Sequence, residues 1–289
     1  MRQAFRVFMT ELIDYAGLFP PAQLDMTTAF GNWLEYEECE DEFILNSFIC
    51  PAWRVDELVP LLRGRRDRFP LTLIIRPGPN LAADIGNTMD IGSRIEAVEV
   101  VGVEGKIGGV DIAEALEVEG RLRDRGVSGH YWFETGFPSG WEHDLPGFVE
   151  NLPVLSGLKV RCGGVVADAF PTVDQLAETI RICAEKNRAL KATAGLHHPI
   201  RHHDGNLDTM AHGFLNVFGA VVLAEVHRLD RKAIAAILAD EDPESFAFTE
   251  DTFAWQGLTA QAGDLGYMTS FGSCSFDEPR EDLKALGLM

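Results

Sequence analysis

Leu158-Lys159-Val160-Arg161-Cys162-Gly163-Gly164 and Leu190-Lys191-Ala192-Thr193-Ala194-Gly195-Leu196-His197-His198-Pro199 decide how the rest of this chain is read. Each has the pattern of a buried strand that carries cationic side chains on one face and breaks at glycine. Side chains alternate along a strand, so Lys159 shares a face with Arg161, and Lys191 with Thr193. The opposite faces carry Val160 and Cys162, then Ala192 and Ala194, which suit packing beneath helices. Charges on the inner face of a buried strand are costly unless they meet opposite charge. The three cations Lys159, Arg161 and Lys191 therefore predict a held anion.

Outward from these segments, strands alternate with helices. Apolar, β-branched or aromatic runs fall near residues 43–50, 71–76, 95–101, 128–134, 158–162, 189–194, 245–249 and 268–274. Helical patterns lie near 54–63, 80–90, 111–125, 144–152, 172–186, 207–226, 229–240 and 279–287. Pro171-Thr172 and Asp277-Glu278-Pro279 have the punctuation of helix starts. Eight such units predict an α/β chain forming a single (β/α)8 TIM-type barrel domain over 1–289, with 1–40 as an N-terminal extension packed on it. An open doubly wound sheet is disfavoured because no G-x-G-x-x-G follows the first strand. Within 1–40, Glu11 to Pro21 ends a short helix in Gly17 and two prolines. It is read as a helical, proline-rich plug with Leu18 and Phe19 as stoppers; the alternative puts Asp14 and Tyr15 at the mouth as substrate ligands.

The 289 residues are 46% hydrophobic and 24% charged, values of an ordinary globular protein. A formal charge of −20 argues against nucleic acid and against anionic membranes as partners. No stretch approaches the roughly 20 apolar residues that span a bilayer, and Met1 to Leu12 lacks a signal-peptide core. A cytoplasmic location is expected. Cys39, Cys50, Cys162, Cys183 and Cys274 are odd in number and lack C-x-x-C spacing, which speaks against disulfides and zinc knuckles.

In a barrel, function sits at the C-terminal ends of the strands. That rim offers Arg76, Glu134 (on one face with Trp132), Lys159, Arg161, Lys191, Thr193 and the turn Gly272-Ser273-Cys274-Ser275. A lysine crowded by cations has its pKa lowered and can act as a neutral amine. Lys191 is then a candidate nucleophile or general base, Glu134 a proton shuttle, and Arg161 with Lys159 the clamp on a carboxylate or phosphate. The structural alternative is an internal ion-pair layer of Lys159, Arg161 and Glu134. Arg76 and Thr193 join the substrate-binding set. So do Ser273, Cys274 and Ser275, whose backbone amides at a helix start resemble an anion cradle. Asp277 is expected to cap the last helix.

His197, His198, His202, His203, Asp204 and His212 cluster after the Lys191 strand. His202 and His203 fit the surface, whereas His197 and His198 follow the glycine break and point to acid/base work or metal ligation. No cofactor is expected in the leading reading; a divalent metal such as Zn or Mn, held by His197 and His198, is the alternative.

Together the motifs IDYAGLFPPA, KxRxGG, KATAGLHHP and GSCSFDEP resemble an uncharacterised bacterial (β/α)8-barrel family, over nearly the whole chain. A more distant similarity is to class I aldolases of the deoxyribose-phosphate type, in which a strand lysine precedes Thr or Ser and Gly. Lys191, Thr193 and Gly195 match that pattern; His197 and His198 depart from it. That resemblance implies a Schiff-base lysine.

Three functions remain open at this level. One is an aldolase-like lyase or isomerase acting on a small anionic metabolite. The others are a metal-dependent lyase or hydrolase at His197 and His198, and a non-catalytic anion-binding barrel. The partner expected is a small anionic metabolite, and a homo-oligomer is left open.

Overall fold

Eight parallel strands close into a barrel in the computed structural model, which describes residues 1–267 and 270–289. In chain order the strands are β1 (Ile13–Tyr15), β2 (Leu45–Pro51), β3 (Phe69–Ile75), β4 (Val98–Lys106), β5 (His130–Thr135), β6 (Ser156–Arg161) and β7 (Leu190–Thr193). A small hairpin follows, β8 (His202–Asp204) with β9 (Thr209–Ala211), then an antiparallel sheet of β10 (Phe246–Phe248), β11 (Thr252–Trp255) and β12 (Leu258–Gln261). The last stave is β13 (Phe271–Ser273), which pairs with β7 on one side and β1 on the other.

The expected (β/α)8 barrel is therefore present, but its eight strands are not the expected eight. The 1–40 segment is not a plug laid on a finished barrel. Its residues Ile13–Tyr15 form a stave between β13 and β2. Conversely, the run near 245–249 is a strand outside the barrel. It turns back after three residues to pair antiparallel with β11, and Gln256-Gly257, both at positive φ, turn β11 into β12. Tight turns make antiparallel neighbours, whereas a parallel stave needs a long crossover. Of the strand expected over 268–274, residues 268 and 269 lie outside the described residues.

Alternation sorts the strand side chains into two layers. Phe48, Phe69, Leu71, Leu73, Phe133, Leu158, Val160 and Ala192 are buried on the outer face, under the helices. The inner face is polar, with buried Asp14, Ser47, Thr72, Glu104, Glu134, Lys159 and Lys191. Room for Trp132 inside comes from Gly157 on the next strand, where a Cβ would lie 2.3 Å from the indole.

The helices obey local rules. Thr172 and Gln175 form a reciprocal capping box on Val173–Lys186, as the Pro171-Thr172 punctuation predicts. Asp111 caps Ile112–Asp124. Helix Phe214–His227 is buried from Phe214 to Ala224, with Phe214 and Phe218 stacked on Phe271 at 5.5 and 5.7 Å. It is apolar nearly all round because the β10–β12 sheet covers its far side, where Phe253 meets Gly219. No helix among the described residues is long and apolar enough to cross a membrane.

Candidate active site

Register brings the inward charges together. Glu134 faces Lys159 across β5 and β6, Lys159 faces Lys191 across β6 and β7, and Glu104 comes in from β4. The result is an alternating chain of ion pairs across the barrel. Lys191 Nζ lies 2.7 Å from Asp14 Oδ2 and 2.7 Å from Glu104 Oε1. Lys159 Nζ lies 2.7 Å from Glu104 Oε2 and 3.0 Å from Glu134 Oε2. Arg161 Nε ends the chain, 3.5 Å from Glu134 Oε1. Asn46 Nδ2 donates to Asp14 Oδ1 at 2.9 Å, and the Ser47 hydroxyl donates to the same oxygen.

These contacts decide the charge states. Burial alone would push Glu104 up, but the flanking Lys159 and Lys191 ammoniums hold it down at about 2. Burial likewise works upward on Glu134, and Lys159 and Arg161 outweigh it, so its pKa lies below the usual carboxylate value. For Lys191, burial works downward, and Asp14 and Glu104 overcome it, so the ammonium is held above its ordinary pKa. Lys159 is raised in the same way, against burial, by Glu104 and Glu134. The expectation that neighbouring cations make Lys191 a neutral amine is corrected here. Its nearest charges are two carboxylates, and it is only 1% exposed. The internal ion-pair layer, expected for Lys159, Arg161 and Glu134, is real and extends to Lys191, Glu104 and Asp14.

Two cavities meet this chain from opposite ends. At the C-terminal mouth a cavity of about 330 Å³ is lined by Arg76, Lys106, Glu104, Glu134 and Lys159, among others. Arg161 is half exposed above Glu134, and Lys106 is exposed at the end of β4. Arg76 is fixed by buried Asp84, with bonds of 2.9 and 2.7 Å, and lies 4.1 Å from the centre of the Trp53 ring. At the N-terminal mouth a cavity of about 590 Å³ reaches Lys191, His130 and Trp132.

A lysine ammonium has three N–H groups. Lys191 and Lys159 each direct two of them at carboxylates, which leaves one apiece for the cavity that each lines.

Other expected residues separate from this centre. Thr193 is half buried beside Arg161 and Gly272 in register. Gly195, at φ 71°, brings the loop after β7 against Gly163, with no room for a side chain on either. The Ser273–Ser275 turn is occupied internally. The Ser273 hydroxyl donates to the Ser275 carbonyl at 2.6 Å, and Ser275 Oγ accepts from the Glu278 amide at 3.2 Å. Ser275, one residue before the N-cap Phe276, thus holds an amide in the first turn of the last helix, Asp277–Ala285, while the Asp277 carboxylate, expected to cap it, accepts from the Tyr36 hydroxyl. Burial raises the Cys274 thiol. The hydroxyls of this turn thus serve the helix start, whereas the expected anion cradle rests on its backbone amides.

The histidines also disperse. His197 Nδ1 lies 3.0 Å from Glu278 and His198 Nδ1 2.5 Å from Asp282, so both face the last helix. His203 pairs with Asp208 at the surface, and His202 packs edge-on to His198. His212 is buried, within bonding distance of the Pro171 carbonyl, and burial lowers its pKa to about 4. Among the described residues, no group of three or more His, Cys, Asp or Glu side chains is arranged to hold a metal.

The sequence reading missed Glu104, Lys106 and His130. The run Val98-Glu99-Val100-Val101-Gly102-Val103-Glu104-Gly105-Lys106 was the available signal. A strand ended at 101, before Gly102, leaves Glu104 out, whereas continued alternation puts Gly102, Glu104 and Lys106 on one face. Comparison with protein-family models, with curated proteins and with solved structures gave no match.

The charge states predict an acid profile in two stages. His212 has its folded pKa below the ordinary 6.5, so its contribution is complete above 6.5 and is lost as pH falls through about 4. Glu104 stabilises fully above 4.5, and that is lost as pH falls toward about 2. Urea midpoints measured from pH 8 to pH 2 are expected to drop in that order. A His212→Asn variant is expected to flatten the upper stage only; an unchanged upper stage excludes His212 as its cause.

Proposed function

We propose that this chain is an enzyme, a lyase or isomerase, that moves a proton on a small carboxylated or phosphorylated metabolite at the C-terminal mouth of the barrel. The observation that carries the reading is the juxtaposition of the Glu134 carboxylate and the Lys159 ammonium, 3.0 Å apart in the wall of one cavity, below half-exposed Arg161. An ionised carboxylate that can take a proton and, beside it, an ammonium with an N–H to spare for a developing oxyanion are the parts that proton transfer from carbon requires. The fold adds a prior by analogy only, since barrels are frequently enzymes and act at this end.

In this reading Arg161 and Lys106 hold the anionic group of the metabolite. Glu134 removes a proton from the carbon next to a carbonyl or carboxylate. The C–H electron pair forms a carbon–carbon double bond as the carbonyl π pair moves onto its oxygen, which the remaining N–H of Lys159 stabilises. Returning the proton to the former carbonyl carbon, while the hydroxyl on the deprotonated carbon gives its proton to the other oxygen and becomes the new carbonyl, completes an isomerisation; expulsion of a group with its bonding pair from the carbon beyond, as the carbonyl re-forms, completes a lyase reaction. Lys191 lies one pair deeper and acts through Glu104 as a positioning residue.

Two measurements test this. Incubation in deuterated water with 2-oxo acids, 2-hydroxy acids and sugar phosphates is expected to give enzyme-dependent deuterium incorporation next to the carbonyl or carboxyl carbon in at least one class. No incorporation across all three removes the proton-transfer reading. Borohydride treatment with the same compounds is expected to leave the intact mass unchanged. A reduced adduct mapped to Lys191 restores the amine mechanism of the aldolase resemblance.

A further inference from the structure

We propose that the N-terminal mouth of the barrel is a second ligand site, shaped for a small, neutral, planar amide or lactam. This is the end of a barrel that ordinarily serves stability. Here it opens into a cavity of about 590 Å³, within the size range of small-molecule sites. Its inner wall carries Trp132 and His130, stacked at 4.6 Å, while Val7 and Leu265 also line it.

The polar groups that converge there define the ligand. His130 Nε2 is buried without a hydrogen-bond partner among the described residues. Such an atom costs stability unless something binds it. Lys191 has one N–H left over after Asp14 and Glu104, and its Nζ lies 5.8 Å from the centre of the Trp132 ring. Asn46 also lines the cavity, and its Nδ2 is engaged by Asp14, which leaves its carbonyl oxygen as an acceptor. A carbonyl oxygen on the ligand satisfies the Lys191 donor, and an amide N–H on the same ligand satisfies Asn46 or His130.

Charge fixes the remaining property. The inner network contains three carboxylates (Asp14, Glu104, Glu134) and three cations (Lys159, Lys191, Arg161), so it is balanced without a ligand. An anionic ligand entering from below would pass the exposed Glu11 carboxylate and lose its water with no unpaired cation to meet, and a cationic one would face the Lys191 ammonium at the inner wall. Burial and the Lys191 charge both push the His130 imidazole below its ordinary pKa, so it offers no positive charge either.

The test uses benzamide as the neutral probe and benzoate as its charged counterpart. The readout is the ring resonances of His130 in histidine-labelled full-length protein, assigned by His130→Gln. Benzamide is expected to shift them saturably with a Kd on the order of 1 mM, a normal affinity for so small a molecule. Benzoate is expected to bind at least tenfold more weakly. The shift is expected to disappear in Ala189→Phe, which fills the cavity, and in Thr10→Trp, which obstructs it from an exposed rim position. It is expected to persist in Arg161→Met, at the opposite mouth. Absence of a saturable benzamide shift overturns the proposal, as does a shift that survives both obstructing variants. Equal or tighter binding of benzoate overturns the neutral-ligand assignment.

Discussion

Glu104→Gln is expected to be the most destabilising single change in the barrel, lowering the unfolding free energy by about 3–5 kcal/mol, the scale of a broken buried ion pair. Glu104 is the carboxylate that both lysines share, at 2.7 Å each, and it is 1% exposed. Neutralising it leaves two buried ammoniums facing each other across β6 and β7 with one carboxylate fewer. Lys191→Met is expected to cost a similar amount, because Asp14 and Glu104 then carry unbalanced charge in the interior. The informative comparison is Asp14→Asn with Lys191→Met. That double change removes one charge of each sign, and Lys159 remains beside Glu104 and Glu134. It is expected to unfold at a clearly higher urea concentration than Lys191→Met alone, because a buried charge costs most when its partner alone is removed. If Glu104→Gln lies within 1 kcal/mol of the wild type in equilibrium urea unfolding, at the low end of ordinary point substitutions, the network is not ionised as described. The same result would sink the lower stage of the acid profile.

How far the sequence discloses this arrangement depends on the kind of signal. Strands with strict alternation were legible. Lys159 and Arg161 on β6, Lys191 and Thr193 on β7, and Trp132 and Glu134 on β5 face inward as alternation demands. The stave Ile13–Tyr15 was not legible because three residues with an aspartate at the centre give no periodicity, and Gly17 and two prolines follow at once. That aspartate reads as a loop residue until a buried Lys191 is known to oppose it. Strand β10 misled in the opposite sense. Phe246-Ala247-Phe248 has strand character, but its partners were decided by the turns at 249–251 and Gln256-Gly257. Those turns specify a hairpin sheet rather than a crossover.

The charge states were the least legible part. From the sequence, Lys159, Arg161 and Lys191 looked like three cations crowding one another, which predicts a neutral amine. Their pKa values depend on carboxylates drawn from β1, β4 and β5, up to 177 positions away in the case of Asp14 and Lys191 (191 minus 14). A single strand cannot announce a partner at that distance. Asp14 and Glu104 therefore set the sign of the Lys191 shift, opposite to the one that neighbouring cations alone would give.

Glu134→Gln is expected to lower turnover by a factor on the order of 10² to 10⁴ once the substrate class is found by deuterium incorporation, the range for loss of a general base. The amide keeps the shape of the carboxylate and can still accept from Lys159, but it cannot take a proton. Binding is therefore expected to change little, and the loss should fall on kcat. Arg161→Met makes the contrasting case. Arg161 is half exposed and its Glu134 contact is long, at 3.5 Å, so its removal disturbs the fold little. If it clamps the anionic group of the substrate, KM should rise by about tenfold or more, with the smaller effect on kcat. The pair separates the proposed roles from a purely structural network. In a structural network both variants act through stability, so their activity losses track their urea midpoints and disappear under conditions where each is fully folded. In the enzyme the Glu134→Gln loss persists in fully folded protein. Its rate also loses the fall at acid pH that titration of this carboxylate, below its ordinary 4.5, imposes on the wild type. A folded Glu134→Gln protein with near wild-type turnover would take Glu134 out of the chemistry. Lys159 would then be left as an anion ligand at the mouth.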